Sequence, residues 1–188
     1  VRRRRVLEHE KASVQRQVVG SIRGHDRKHP VEQPLRGADG ELLREVERQY
    51  PTLSIAELCD LEVKGIADQD AVLFLWVTSP LLFECAPVIT AWGFEYKASI
   101  VWNKDAHNMG HYVSVRHEFL LICTRGSATP DTADRLASVV AEQRTTHSTK
   151  PERFREMIDA MYTHGKRIEL FARTAPPAPW AAYGNEVL

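Results

Sequence analysis

Two charged side chains lie at positions where they are expected to destabilise the local secondary structure. Lys150 precedes Pro151 at a predicted helix start, where a cation opposes the helix dipole. Glu169 interrupts an apolar strand at 168–172, where a buried carboxylate needs a partner or a ligand that donates hydrogen bonds to it. Such local conflicts are expected where function overrides stability. Because carboxylates often accept ribose hydroxyls in nucleotide-binding α/β domains, nucleotide binding is the chemistry that these residues indicate.

Polar side chains also follow two predicted strands. Residues 72–77 form a continuous apolar run, which is typical of a strand buried on both faces, and a helical segment and a second strand at 98–102 follow it. Strand, helix and strand in this order predict a right-handed crossover in a mainly parallel sheet. Polar residues at the carboxyl ends of such strands line the ligand crevice. The candidates at this edge are Thr78, Ser79, Asn103 and Lys104.

Several of these residues allow a second interpretation. Lys104 is either a solvated surface lysine or a site residue, and Trp102 is either a core residue or the wall of a pocket for a flat ring. Trp76 is interpreted as core. The closest histidines, His107, His111 and His117, include a glycine between the first two and share no predicted helix face, so we expect no metal site.

The elements that must position these residues predict an α/β domain. Residues 1–49 are polar, and their apolar pair Val18-Val19 is too short for a central strand, so we expect a basic extension outside the fold, disordered or foreign to it. Residues 50–188 form the expected domain. Its predicted helices cover about 54–60, 80–92 and 150–161, its further strands 118–124, 138–142 and 167–172, and its main loop 105–114.

Composition sets broad limits. The 25 basic and 25 acidic residues balance, although residues 1–49 hold 12 basic against 8 acidic residues. That local excess predicts a salt-dependent, non-specific nucleic-acid contact. Three separated cysteines read as reduced core thiols, and no segment is apolar and long enough for a membrane span. We therefore expect a cytoplasmic protein with no membrane partner.

Six ordered blocks resemble one known family. They are YPTLSIAELCDLEV (50–63), LFLWVTSP (73–80), WGFEYKASIVWNK (92–104), MGHYVSVRHEFLLICTRG (109–126), THSTKPERFREMID (146–159) and RIELFARTAPPAPWAAYGNEV (167–187). Together they look like the MT-A-seventy-like family, named for the catalytic subunit of the mRNA adenosine methyltransferase, whose bacterial and phage members methylate DNA adenine.

The resemblance implies a Rossmann-like fold and methyl transfer from S-adenosylmethionine to the N6 amine of adenine in DNA or RNA. It also implies a partner methyltransferase subunit or a homodimer. Carried onto this chain, it places Lys150 near the methyl donor and assigns further cofactor contacts to Glu169, Arg173, Asn185 and Glu186. It assigns the acceptor site, or the mobile loop that frames it, to Lys104, His117 and Glu118.

One departure qualifies the implied activity. Family members carry a strand that ends in Asp-Pro-Pro-Trp before the Tyr-Pro-Thr block, and nothing in residues 1–49 matches it. We therefore expect a missing or replaced central strand, unidentified catalytic residues, and slow or absent transfer. A truncated or frameshifted gene, a fragment, and a member remodelled as an inactive pseudo-methyltransferase that binds nucleic acid or a partner subunit all fit the sequence.

Overall fold

A seven-stranded sheet forms the centre of the molecule. The computed structural model describes residues 16–21, 53–108, 112–144, 149–172 and 175–183. Within these ranges the strands run in the order β5-β3-β4-β2-β1-β6-β7 across the sheet. Their bounds are β1 (Arg16–Ser21), β2 (Ala71–Val77), β3 (Glu95–Asn108), β4 (Val115–Arg125), β5 (Val139–Ala141), β6 (Lys166–Leu170) and β7 (Trp180–Tyr183).

The sheet is mixed. Strand β4 pairs antiparallel with both β2 and β3, whereas the four other neighbouring pairs are parallel. The expected crossover from β2 to β3 therefore joins strands that run in the same direction but have β4 between them. A sequence pattern of strand, helix and strand does not reveal this insertion, because a hairpin can place the next strand in the gap.

Strand β1 lies inside the sheet, between β2 and β6. It pairs in parallel with β2 from Arg16↔Ala71 to Ser21↔Trp76, and with β6 from Arg16↔Lys166 to Val19↔Glu169. The prediction that the segment around Val18-Val19 is too short for a central strand is therefore wrong. Ladder hydrogen bonds come from the backbone, so six residues suffice even where only two of them form an apolar pair.

Two strands differ in extent from the prediction. Strand β3 continues to Asn108, so residues 105–108 of the predicted loop belong to the strand, and Asn108 pairs with Val115 after a register shift that follows Asn103. Strand β7 was not predicted, because proline surrounds it and alanine fills it. Backbone pairing with β6 rather than side-chain preference makes this segment a strand.

The helices cover both faces of the sheet. They are α1 (Ile55–Cys59), α2 (Val63–Ile66), α3 (Ala86–Ala91) and α4 (Glu152–Met161), with a short 3₁₀ helix at Ser79–Leu81. The predicted capping box of Ser54 and Glu57 opens α1. The single helix predicted at 80–92 is divided, because Pro87 lies in the first turn of α3 and is poorly tolerated in the interior of a longer helix. No helix in the described ranges has the length and hydropathy that a membrane crossing requires.

Strand β2 holds the two core layers together. All seven of its residues are buried, which confirms the prediction from its apolar run. Leu73 and Leu75 pack towards Val88 and Trp92 on one face. The alternate residues Val72, Phe74 and Trp76 pack on the other face against a cluster that includes Phe154, Met157, Ile158 and Tyr162 of the α4 region.

We predict that Val18→Pro destabilises the protein by about 3 kcal/mol or more, because proline cannot donate a ladder hydrogen bond in a strand paired on both sides. Urea unfolding followed by tryptophan fluorescence measures the change. Ala133→Pro, in the exposed loop between β4 and β5, is the control and should change the free energy of unfolding far less. Equal effects of the two substitutions would contradict the central position of β1.

Candidate active site

One carboxylate bridges two lysines near the carboxyl end of β3. Lys104 Nζ donates to Glu118 Oε1 at 2.5 Å, and Lys150 Nζ donates to Glu118 Oε2. Lys104 lies in β3, Glu118 lies in β4, and Lys150 lies two residues before α4. Three segments distant in sequence therefore supply one compact charge cluster, which we call the lysine–glutamate cluster.

Burial makes this cluster unusual. The Lys104 side chain is only 6% exposed, Glu118 13% and Lys150 21%. A buried charge is costly unless it is paired, so the shared carboxylate stabilises both lysines. Burial raises the pKa of Glu118, but the charge of Lys150 and the hydrogen bonds from both lysines outweigh it, so its pKa lies below the ordinary value. Glu118 is therefore a carboxylate at neutral pH, and the cluster carries one net positive charge.

Aromatic rings form the floor under the two ammonium groups. Lys150 Nζ lies 4.8 Å from the centre of the Trp76 ring and 5.7 Å from that of Trp102, and Lys104 Nζ lies 5.2 Å from Trp102. These distances suit cation–π attraction. Trp76 and Trp102 are almost fully buried and pack edge to face on Phe154. The core interpretation of Trp76 is confirmed, and Trp102 is likewise a core residue.

A second charged group surrounds Glu169. Arg155 donates to Glu169 Oε2 at 2.8 Å and also pairs with Glu152, while its guanidinium lies 5.8 Å from the Trp180 ring. Glu169 is in β6, at the level where β6 pairs with the carboxyl half of β1. Sequence reasoning found Glu169 but missed Arg155. Like Lys150, Arg155 is a cation close to the start of a helix, where it opposes the helix dipole. This unfavourable position could have identified Arg155 from the sequence.

The beginning of α4 joins the two charged groups. Lys150 lies two residues before this helix, next to its N-cap residue Pro151, and Glu152 and Arg155 lie in its first turns. The chain therefore leads from the lysine–glutamate cluster to Arg155, the partner of Glu169, within six residues. Phe154, between them, anchors this stretch on Trp76 and Trp102. Lys150 and Glu169, the two candidates chosen from local conflict, are thus brought to the same end of one helix.

His117 lies apart from this arrangement. Its Nε2 is 3.0 Å from Ser79 Oγ, and its ring packs on Phe119. Neighbours in a strand face opposite sides of a sheet, so His117 and Glu118 point to different faces. The structure brings Lys104, Glu118 and Lys150 together and pairs His117 with Ser79 instead. An acceptor-site role for His117 stays a prediction.

Three predicted cofactor residues cannot be placed. Arg173, Asn185 and Glu186 lie outside the described residues. No group of three or more His, Cys, Asp or Glu side chains in the described ranges is arranged to hold a metal ion.

Comparison with known proteins identifies the family. The MT-A70 family model matches residues 15–186. The chain belongs to the MT-A70 family. The matched region includes β1, so the family match begins well before residue 50.

The relatives that the chain matches include a type II methyltransferase and N(6)-adenosine-methyltransferases. The chain is 38% identical over 141 residues to the type II methyltransferase M.MunI of a Mycoplasma species, which covers 74% of this chain and 60% of that protein. It is 29% identical over 154 residues to the zebrafish N(6)-adenosine-methyltransferase subunit METTL3, and 26% identical over 151 residues to the human catalytic subunit METTL3. Each METTL3 match covers 76% of this chain and 26% of the relative. The chain thus spans less than two thirds of the length of each of these relatives.

We predict that Glu118→Gln destabilises the protein at pH 7 by about 3 kcal/mol, because it removes the carboxylate charge that pairs with the buried Lys104 and the partly buried Lys150. The pKa of Glu118 is lower in the folded protein than its ordinary value of 4.5. Its stabilising contribution is therefore complete above the ordinary value and is lost as the pH falls through the folded value. Urea unfolding at pH 7 and below pH 4 should show the difference between wild type and variant shrinking in acid.

The matched control is Glu95→Gln, which removes an exposed ion pair with Lys97. Exposed pairs contribute little, so this variant should unfold within about 1 kcal/mol of the wild type at both pH values. A Glu118→Gln variant as stable as the control at pH 7 would contradict the bridging role.

Proposed function

We propose that this chain is an S-adenosylmethionine-dependent methyltransferase domain that acts on the N6 amine of adenine in DNA. The observation that carries the proposal is the lysine–glutamate cluster at the carboxyl edge of the sheet, in a chain of the MT-A70 family. The α/β domain with its mixed sheet supports a Rossmann-like methyltransferase fold, in which ligands bind at this edge. The higher identity to M.MunI than to the METTL3 proteins favours DNA over RNA.

The residues around the start of α4 fit such a cofactor. S-adenosylmethionine supplies a methyl group made electrophilic by a sulfonium, and it also presents ribose hydroxyls. Glu169 is partly exposed, and Arg155 holds it through Oε2, so its carboxylate is oriented before any ligand binds. A preoriented acceptor suits ribose hydroxyls. Lys150, Glu169 and, by family resemblance, Arg173, Asn185 and Glu186 are the proposed cofactor contacts.

Glu118 explains how a lysine can lie beside a positively charged donor. Two unpaired ammonium groups would repel a sulfonium strongly in a partly buried site. Pairing both with one carboxylate reduces the net charge to a single positive charge and fixes Lys150 over Trp76. In this proposal Lys104 and Glu118 border the acceptor side, and Lys150 borders the donor side.

A second candidate is a pseudo-methyltransferase that binds nucleic acid or a partner subunit. The adenine amine is a poor nucleophile because its lone pair is delocalised into the ring, so transfer benefits from groups that accept its hydrogens. The sequence contains no Asp-Pro-Pro-Trp, the motif that the family resemblance assigns to this task. The human relative is named as a catalytic subunit, which is consistent with a partner or a homodimer here.

We predict that S-adenosylmethionine binds and that Glu169→Ala weakens its binding at least about tenfold, which is the loss expected for a hydrogen-bonded charged group. Isothermal titration calorimetry measures both proteins. Glu152→Ala is the matched control, because it removes the other carboxylate that pairs with Arg155. If the two variants weaken binding equally, Arg155 rather than Glu169 is the important contact. If Glu169→Ala binds as well as the wild type, the ribose assignment is wrong.

We predict that the purified chain transfers methyl groups slowly. Loss of one preorganised acceptor group costs about 3–4 kcal/mol in the transition state, or roughly two to three powers of ten in rate. The rate is measured with tritiated cofactor and an adenine-containing duplex. A duplex made only of guanine–cytosine pairs, which contains no adenine, gives the background. Cofactor binding without any transfer would favour the pseudo-methyltransferase. Rapid turnover would show that another acid of this chain performs the task, with Asp105 as the first residue to substitute.

A further inference from the structure

A cavity lies at the opposite end of α4 from the lysine–glutamate cluster. Its volume is about 610 Å³, and its walls come from β3, β4, the loop between β4 and β5, and the residues Met161 and Tyr162 at the end of α4. At a rise of about 1.5 Å per residue, the ten residues of α4 separate the cavity from the cluster by about 15 Å. None of the described site residues lines it. The cavity is therefore distinct from the candidate active site.

The inner wall of this cavity is apolar. Its apolar lining includes Ile100, Ile122, Ala128, Leu136, Met161 and Tyr162. All of these except Leu136 belong to the core layer of Trp76, Trp102 and Phe154 or pack against it. Cavities of about 300–1,000 Å³ with mostly apolar walls are typical of sites for small molecules. Size and lining therefore favour a small, mainly apolar ligand.

The charged groups lie at the mouth of the cavity. The charged residues in the lining are Lys97, Asp134 and Arg135, and all three are exposed. Lys97 Nζ also pairs with Glu95 Oε2 at 2.9 Å, so two basic and two acidic side chains surround the opening. These charges balance, and an ionised group taken into the apolar interior would be costly. Thr124 lines the cavity and adds a hydroxyl that can orient a ligand. The lining thus suits a neutral ligand.

Packed side chains connect the cavity to the site. Tyr162 donates from its hydroxyl to the Ala128 carbonyl at 3.1 Å, and its ring packs edge to face on Phe74. Two turns earlier in α4, Phe154 contacts the rings of Trp76 and Trp102, which lie beneath the lysines. Close-packed interiors transmit displacements, so a ligand in contact with the end of α4 acts on the same helix that begins next to Lys150.

We propose that this cavity is a regulatory site for a small, neutral and mainly apolar molecule, whose binding stabilises α4 and thereby the position of Lys150. The proposal goes beyond methyl transfer, because this ligand is neither the methyl donor nor the acceptor. A ligand that binds one arrangement of α4 more tightly shifts the protein towards that arrangement. By linkage, the ligand and S-adenosylmethionine then change each other's affinity by the same factor.

The first test is binding of two fluorescent probes by the full chain. Phenylnaphthylamine is neutral, and anilinonaphthalene sulfonate has the same rings with an added sulfonate. Fluorescence titration gives the dissociation constant of each probe. The neutral probe should bind at least about tenfold more tightly, because the sulfonate must lose water on entering an apolar cavity.

A substitution at the cavity wall locates the probe. Ala98→Phe should weaken binding of the neutral probe about tenfold or more, because its ring fills space beside Ile122, the residue that pairs with Ala98. Ala98 is exposed, so this change leaves the packed core intact. Ala91→Phe is the matched control, because Ala91 is also exposed but ends α3 on the other face of the sheet. It should bind the probe as the wild type does.

The second test measures the connection to α4. At a probe concentration of about ten times its Kd, amide hydrogen exchange in the last two turns of α4 should slow by about tenfold where exchange requires the cavity to open. The amides of α3 should change far less. Isothermal titration calorimetry with saturating probe should then show the affinity for S-adenosylmethionine changed by about fivefold or more, the lower end of typical couplings. Ala98→Phe should abolish both effects.

The remaining outcomes overturn the proposal. If neither probe binds, or Ala98→Phe binds the neutral probe as well as the wild type does, the cavity is not the site. Tighter binding of the sulfonate would contradict a neutral ligand. Equal slowing of exchange in α3 and α4, or an unchanged affinity for a cofactor that does bind, would contradict a regulatory connection. If S-adenosylmethionine binds neither with nor without the probe, the proposed function fails, and probe binding and hydrogen exchange still decide the cavity and its effect on α4.

Discussion

The site depends on one carboxylate that pairs with two lysines, one of them buried and the other partly buried. Lys104 and Lys150 come from segments 46 residues apart; Lys104 is buried and Lys150 is partly buried. Glu118 pairs with both, so it joins the strand pair β3–β4 to the start of α4. Pairing also reduces the positive charge of the site without removing it. The shared carboxylate thus joins β3, β4 and the start of α4, and it also lowers the positive charge at the edge of the sheet.

The amino end of α4 concentrates charges that do not suit a helix start. Lys150 and Arg155 are cations close to the positive end of the dipole, and both are held by acidic residues from the sheet, Glu118 and Glu169. The helix is therefore positioned by two ion pairs at one end and by apolar packing along its length. Cooperation of this kind explains why the residues with the poorest local fit are the ones that the tertiary structure brings together.

Sequence patterns predicted the secondary-structure elements that depend on local periodicity and on turn residues. The buried run of β2, the capping box at Ser54 and the position of α4 after Pro151 all follow from residue types within a few positions of one another. The same local conflicts identified Lys150 and Glu169. The central place of β1 and the insertion of β4 beside β2 could not be predicted, because backbone pairing between distant segments leaves little trace in either strand's own sequence. The partners of each charged side chain were hidden for the same reason.

The ring cluster of Trp76, Trp102 and Phe154 belongs to the core and to the site at once. The edge-to-face contacts of these rings pack α4 on the sheet, while the faces of Trp76 and Trp102 lie beneath the lysines. A substitution that repacks these rings shifts the ammonium groups above them, so stability and site geometry cannot vary independently here. Descendants of this sequence are therefore free to change the outer surface of α4, but its inner face can change only through compensating pairs of mutations.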